Sequence, residues 1–338
     1  MNPRRTSSRL NAGDLVTVRT SHEILKTLDA NGTLDDLPFM PEMLEFCGKR
    51  FRVLNRVVQA TIDGAFLARH TESFVREFRN NDVVTLQGLR CGGAKHDGCQ
   101  RGCAIFWKEA WLEKIDDGDH ECVPKQDSVS AAPDELGCIL KTRTEPGRYF
   151  CQSSEFLKAT LHLSKMQRFT KCCSAVATGN ISAWGMVKRI LVWMWWKAYT
   201  KLIGQHARGT QEKTPTEFLG LKPGEMVEVK SLQEIVATLN KNGRNRGLHF
   251  SADQRPFCDG RFRVRSRADN FIAEGTGEMK HFRNTVVLEE VLCNSACFAF
   301  GGCYRADLLY WREIWLRRVE APPRVAGSEA DNVRDRAS

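Results

Sequence analysis

Apolar and polar residues alternate in two short runs far apart in the chain, "LVTVR" at 15–19 and "MVEVK" at 226–230. A period of two predicts a half-buried strand at each. A helix is expected next, because Thr20 with Glu23 and Ser231 with Glu234 stand at capping-box spacing. There the hydroxyl accepts an orphan backbone N–H and the carboxylate reaches back to the cap. The Asn-Gly pairs at 31–32 and 242–243 are expected to supply the left-handed residue that stops the helix. Further on, "RFRVLNRVVQ" (50–59) and "DVVTLQGL" (82–89) read as strands. In the closing segment Trp107 and Trp111 are four apart, as on a helix, whereas Trp111, Glu113 and Ile115 alternate. A strand is the reading taken.

These patterns occur twice. Residues 13–53 align with 224–264 at a constant offset of 211, matching Gly13 to Gly224, Val16 to Val227, Glu23 to Glu234, Phe46-Cys47 to Phe257-Cys258 and Arg50 to Val53 with Arg261 to Val264. After an insertion the likeness resumes in "FRNNDVVTLQGLRC" (78–91) against "FRNTVVLEEVLC" (282–293). It ends with Trp107, Glu109 and Trp111 against Trp311, Glu313 and Trp315. The expected fold is therefore α+β, mainly β, built as two tandem modules with an inserted helix each. They occupy 11–118 and 211–320 and are joined by a partly helical central segment, 119–210. The tail, 321–338, is expected to be disordered.

The short strands resemble the SH3-like small β-barrel. With its "LPFMPEMLEFCGKRFRV" stretch and cysteine-rich loops, the chain also resembles a set of duplicated bacterial proteins. Those resemblances imply an architecture and carry no activity with them.

Thirteen cysteines sharpen the picture. The opening "MNPRRTSSRLNAGDLVTVRT" has no apolar core of a signal peptide, so a cytoplasmic protein with reduced thiols is expected, and clustered cysteines point to metal. Copy one offers Cys47, Cys91, Cys99 and Cys103, the last three as C-x7-C-x3-C among glycines that let the loop bend, with His96 as a spare ligand. Copy two keeps Cys258, Cys293 and Cys303, has Asp307 where copy one has Cys103, and adds Cys297, so that either Cys297 or Asp307 supplies the fourth ligand. Four thiolates suit a closed tetrahedral zinc site, and an iron–sulfur cluster is the alternative occupant. Small buried thiols packing a core are the plain alternative.

The segment at 181–204 holds Trp184, Trp193, Trp195 and Trp196, half of the chain's eight tryptophans. On a wheel of about 100° per residue, Trp184, Val187, Leu191, Met194, Trp195, Ala198, Tyr199 and Leu202 form one apolar arc. Lys188, Arg189, Lys197 and Lys201 fall outside it, and Trp193 and Trp196 lie near its boundary. These cations interrupt the apolar run before it reaches the ~20 residues a bilayer span needs. Such an arc packs on the modules or lies in a membrane interface, which would place the protein at the inner face of a membrane.

Phosphate-loop, dinucleotide, zinc-protease and nucleophile-elbow motifs are all missing from the sequence. Glu42, Glu45 and Cys47 cluster near Arg50, but only in copy one, and Phe39, Met40, Pro41 and Met43 read as core. A formal charge of +9 allows nucleic acid as a partner, without a basic-aromatic strand motif to support it. The reading is a non-catalytic, metal-stabilised adaptor for a protein or membrane surface, with an iron–sulfur redox protein or a nucleic-acid-binding protein as alternatives.

Overall fold

The computed structural model describes residues 9–62, 75–115, 140–203, 207–293, 295 and 299–319. The expected disordered tail, 321–338, and much of the expected linker, 119–139, lie outside these residues.

Two five-stranded antiparallel sheets dominate. In the first, the order is Ala104–Lys108, Val83–Arg90, Arg50–Arg56, Leu15–Val18, Leu112–Ile115. In the second, the same order is made by Leu308–Arg312, Thr285–Leu292, Arg261–Arg267, Met226–Val229 and Leu316–Arg318. Register is matched as well: Val16 pairs with Phe51 and Lys114, and Val227 with Phe262 and Arg318. Both alternating runs are strands, with Val16, Val18, Val227 and Val229 fully buried.

The inserted helices, Ser21–Leu25 and Leu232–Ala237, begin with the expected capping boxes on Thr20 and Ser231. They are shorter than the Asn-Gly punctuation implied. Leu25 ends the first helix well before Gly32, whose φ of 77° serves instead the turn leading into the two-residue strands Thr33–Leu34 and Leu37–Pro38. The closing segment combines both spacings: a strand carries Trp107, a single 3-10 turn, Glu109–Trp111, follows, and a second strand runs from Leu112.

Large aromatic side chains fill each core in the same way. Phe39 meets Trp107 and Trp111 edge-on, and Phe250 meets Trp311 and Trp315. The Trp111 indole N–H donates to Thr27 Oγ1 at 3.0 Å, and that of Trp315 to Thr238 Oγ1 at 3.0 Å. Such a ring removes a large apolar area from water and satisfies its one polar atom. Two partly buried ion pairs repeat too: Glu109 takes Arg56 at 2.6 Å, and Glu313 takes Arg267 at 2.9 Å. Each carboxylate also accepts backbone N–H groups from the chain that enters its module, at Leu10 for Glu109 and at Leu219 for Glu313.

Part of the central segment belongs to the first core. Phe156 is fully buried against Phe78 and Phe106, and Gln152 both accepts from Phe106 N and donates to Phe106 O, at 2.8 Å each. Thr160–His162 pairs with Val75–Phe78. Two helices follow, Lys165–Ala177 and Ala183–Ile203, and Asn180 in their connection exchanges hydrogen bonds with the backbone of Arg56. Cys172, Ala175 and Met186 seat this hairpin against Val58 and Tyr304.

Candidate functional site

The cysteine loop of the first copy leaves its sheet where Cys91 N donates to Cys103 O at 2.9 Å, directly beyond the Arg90–Ala104 pair. Inside the loop, His96 N and Gly98 N both donate to Gly93 O, and Cys99 N donates to His96 O. Gly93 has φ 68°, and any Cβ there would collide with the carbonyl of Cys99. Glycine at this position is therefore a steric requirement of the fold-back.

Cys91, Cys99 and Cys103 come together with Cys151 and His96 around one small cavity. The sequence reading missed Cys151, which arrives from the central segment. Cys47 does not line that cavity; it stands at the end of the 3-10 turn Pro41–Phe46, with its Sγ 3.9 Å from Met43 O. In the same stretch Phe39, Met40 and Met43 are core, and Glu42 is buried. None of the ten described cysteines is bridged to another. Among the described residues no three His, Cys, Asp or Glu side chains form a group placed to hold a metal ion.

His96 is fixed by two acceptors. Its Nδ1 lies 2.6 Å from Glu42 Oε1 and its Nε2 lies 3.0 Å from Phe150 O. An ionised carboxylate and a carbonyl can only accept, so with Glu42 ionised this geometry suits a ring that donates from both nitrogens, the imidazolium. Burial acts to lower the His96 pKa, but the hydrogen bond and charge of Glu42 outweigh it and hold the pKa above the ordinary value.

Three of the cavity thiols, Cys91, Cys103 and Cys151, are shifted the opposite way from activated nucleophiles. Burial pushes Cys103 up to about 12 and Cys151 up to about 11, and it raises Cys91 further still. In copy two burial likewise raises Cys293 and Cys303, and lifts Cys258 to about 11. Cys293 N donates to Asp307 O, matching Cys91 and Cys103. Its Sγ lies 3.5 Å from Asp253 Oδ2 and 3.2 Å from Ser295 Oγ. Asp307 carries its carboxylate to Arg305, 3.1 Å away. Cys297 lies outside the described residues.

The main business of the two loops is with the opposite module. Cys99 Sγ accepts from Ile272 N at 3.5 Å, and Cys303 Sγ accepts from Thr61 N at 3.3 Å. Gln100 N donates to Asn270 O, and Tyr304 N to Gln59 O. Arg101 Nη1 donates to Ile272 O and Arg305 Nη1 to Thr61 O, each at 3.0 Å. Residues 59 and 61 stand at the repeat offset from 270 and 272, so the three contacts are made twice, once in each direction. Both arginines then converge on Glu274 Oε2, at 3.0 and 2.6 Å, and all three side chains are at most 4% exposed. The repeat of Cys-x-Arg, at Cys99 to Arg101 and at Cys303 to Arg305, was the one sequence signal of this role.

No family model matches the chain, and no curated protein or solved structure shows significant similarity to it.

Proposed function

We propose that the protein is a non-catalytic adaptor: two SH3-like modules in tandem, locked into one body that presents a binding surface. The observation that carries this reading is the reciprocal contact of the cysteine loops. In both loops a thiol and a guanidinium are used to receive and donate backbone hydrogen bonds of the other module. Cys91, Cys103, Cys151 and Cys303, whose pKa values burial raises, are also poor nucleophiles and poor sites of oxidation at neutral pH.

Alkylation with mass-spectrometric mapping tests the reading. At pH near 7.5 the exposed Cys173 should label in the folded protein, while the buried Cys99, Cys151 and Cys303 and the half-buried Cys91 and Cys103 should label only after urea is added. Fast labelling of any of those five in the folded protein would replace the adaptor with a thiol-based enzyme or redox protein.

A second reading rests on the cavity shared by Cys91, Cys99, Cys103 and Cys151. These four thiols line one space but no three of them stand as a ligand group, so a soft ion, zinc first, would have to draw them together as it displaced their protons, adding folding free energy to the first module. Cysteines 91, 99, 103 and 151 would hold it, in place of the set that includes Cys47. Metal analysis with cobalt substitution tests this: thiolate-to-cobalt absorption should vanish in Cys151→Ser and persist in Cys47→Ser. Purified protein without bound metal, or loss of the signal in Cys47→Ser with retention in Cys151→Ser, would remove that assignment. Iron with visible absorption would assign a cluster instead.

A further inference from the structure

We infer that the helical hairpin, residues 165–203, is a binding face for an anionic lipid surface; the inference rests on the adaptor reading and names the partner it presents itself to. The long helix, Ala183–Ile203, does not lay its apolar arc on the modules. Trp184 is 64% exposed, Trp195 62% and Leu202 85%, and Val187, Leu191 and Met194 are exposed beside them. The helix instead docks through a different stripe: Met186, Ile190, Trp193 and Trp196, the last only 3% exposed. Trp193 meets Phe300 edge-on, Arg255 lies over the Trp196 ring, and Arg189 lies over Tyr304. Trp193 and Trp196, placed near the arc boundary from sequence, therefore face the protein, and the outward indoles are Trp184 and Trp195.

The wheel shows why the outward face is more than a strip of surface. At about 100° per residue, Trp184, Val187, Leu191, Met194, Trp195, Ala198 and Leu202 occupy an arc of roughly 100° directed away from the docking stripe. Lys188 and Lys201 lie on its two shoulders, both exposed. This is the arrangement of a helix lying in the plane of an interface, with the apolar arc in the acyl boundary and lysines reaching back to phosphates.

Charge selects the occupant. Between Lys165 and Ile203 there are seven basic residues, Lys165, Arg168, Lys171, Lys188, Arg189, Lys197 and Lys201, and no Asp or Glu at all. The preceding helix adds exposed Met166 and Phe169. Lys171 is paired with Glu77, but Lys188 and Lys201 stand exposed on the shoulders of the apolar face, and such a face complements an anionic headgroup layer. A second copy of the same face would bring like charges together, and a neutral protein groove would leave the lysines without counter-charge. No described helix is long and apolar enough to cross a membrane, so the contact is along the surface.

Co-sedimentation of the full chain with vesicles tests the proposal. Binding is expected to phosphatidylcholine vesicles containing phosphatidylglycerol, to weaken with added salt, and to be absent with phosphatidylcholine alone. The exposed pair Trp184→Ala with Trp195→Ala, and separately Lys188→Glu with Lys201→Glu, should each weaken binding by about tenfold or more. Phe218→Ala, which removes an exposed ring elsewhere, should leave it unchanged. Near-UV circular dichroism matching the parent protein establishes that each variant is folded.

Three results would overturn the proposal: no binding to the anionic vesicles, binding indifferent to both pairs of substitutions, or self-association abolished by Trp184→Ala with Trp195→Ala. In each case a thiol-labelling pattern that still protects Cys91, Cys99, Cys103, Cys151 and Cys303 keeps the adaptor reading. Fast labelling of those cysteines removes that reading, whatever the vesicles show.

Discussion

The thiol of Cys99, in the loop of the first module, accepts the backbone N–H of Ile272 in the second, 3.5 Å away. Its counterpart Cys303 does the same for Thr61 at 3.3 Å. This reciprocity is that of an isologous dimer interface, in which contact i-to-j is repeated as j-to-i, here made inside one chain. Removing either sulfur leaves a buried donor without its acceptor. Cys303→Ala should therefore destabilise by about 1–3 kcal/mol in urea denaturation, and Cys303→Ser, which keeps an acceptor, by less.

Glu274 bridges Arg101 and Arg305, and all three are buried. Burial alone would lower the Arg305 pKa, but Asp307 and Glu274 together reverse the shift. Glu274→Gln should cost ~3–5 kcal/mol, because it removes a carboxylate shared by two buried guanidiniums. Glu278→Gln, which breaks the exposed pair with Lys280, should cost far less, because solvent screens that pair. Equal losses in the two variants, measured by chemical denaturation, would contradict the picture of a charged pivot between the modules.

The Glu42–His96 pair makes stability depend on pH in a stated direction. Burial by itself raises the Glu42 pKa and lowers that of His96; their hydrogen bond and charge win in both, leaving Glu42 below 4.5 and His96 above 6.5. The stabilisation is thus fully present between about 4.5 and 6.5. It is lost as pH falls through the depressed Glu42 value, and also as pH rises through the raised His96 value. Comparing the parent with His96→Gln, the stability gap should be widest near pH 5.5 and narrow as the solution becomes alkaline. A gap that widens from about pH 5.5 to 8.5 would show that the ring is neutral in the folded protein.

Thr27 and Thr238 hold corresponding tryptophans by the same bond, at 3.0 Å in each copy. Thr27→Val keeps the shape and leaves the Trp111 indole N–H unpaired in a core where Trp111 is fully buried. A loss of ~1–3 kcal/mol is expected, and Thr238→Val should match it. Trp111→Ala, which also opens a cavity, should cost ~3–5 kcal/mol. Thermal or urea unfolding of the three variants checks the order.

What the sequence by itself determined is most of what depends on neighbours a few residues apart or on the repeat. The alternating valines gave the strands, Thr20 with Glu23 and Ser231 with Glu234 gave the helix starts, and the offset of 211 gave two sheets of one strand order. Matched Trp and Glu positions also foretold the shared cores. Helix length was less legible, because Leu25 ends its helix by local 3-10 turns before the glycine that seemed to mark the stop.

Only the tertiary structure decided which thiols share a space and which face of the long helix is free. Cys151 reaches the cavity of Cys91, Cys99 and Cys103 because Gln152 and Phe156 draw the central segment into the first core, some fifty residues away in sequence. The wheel located an apolar arc from Trp184 to Leu202, but it could not say that Phe300 and Arg255 would occupy the neighbouring stripe and leave that arc to the outside. The physical reason is common to both. Periodicity records which residues leave water, whereas the identity of what they meet is set by chain closure between distant segments, and that is written in no local pattern.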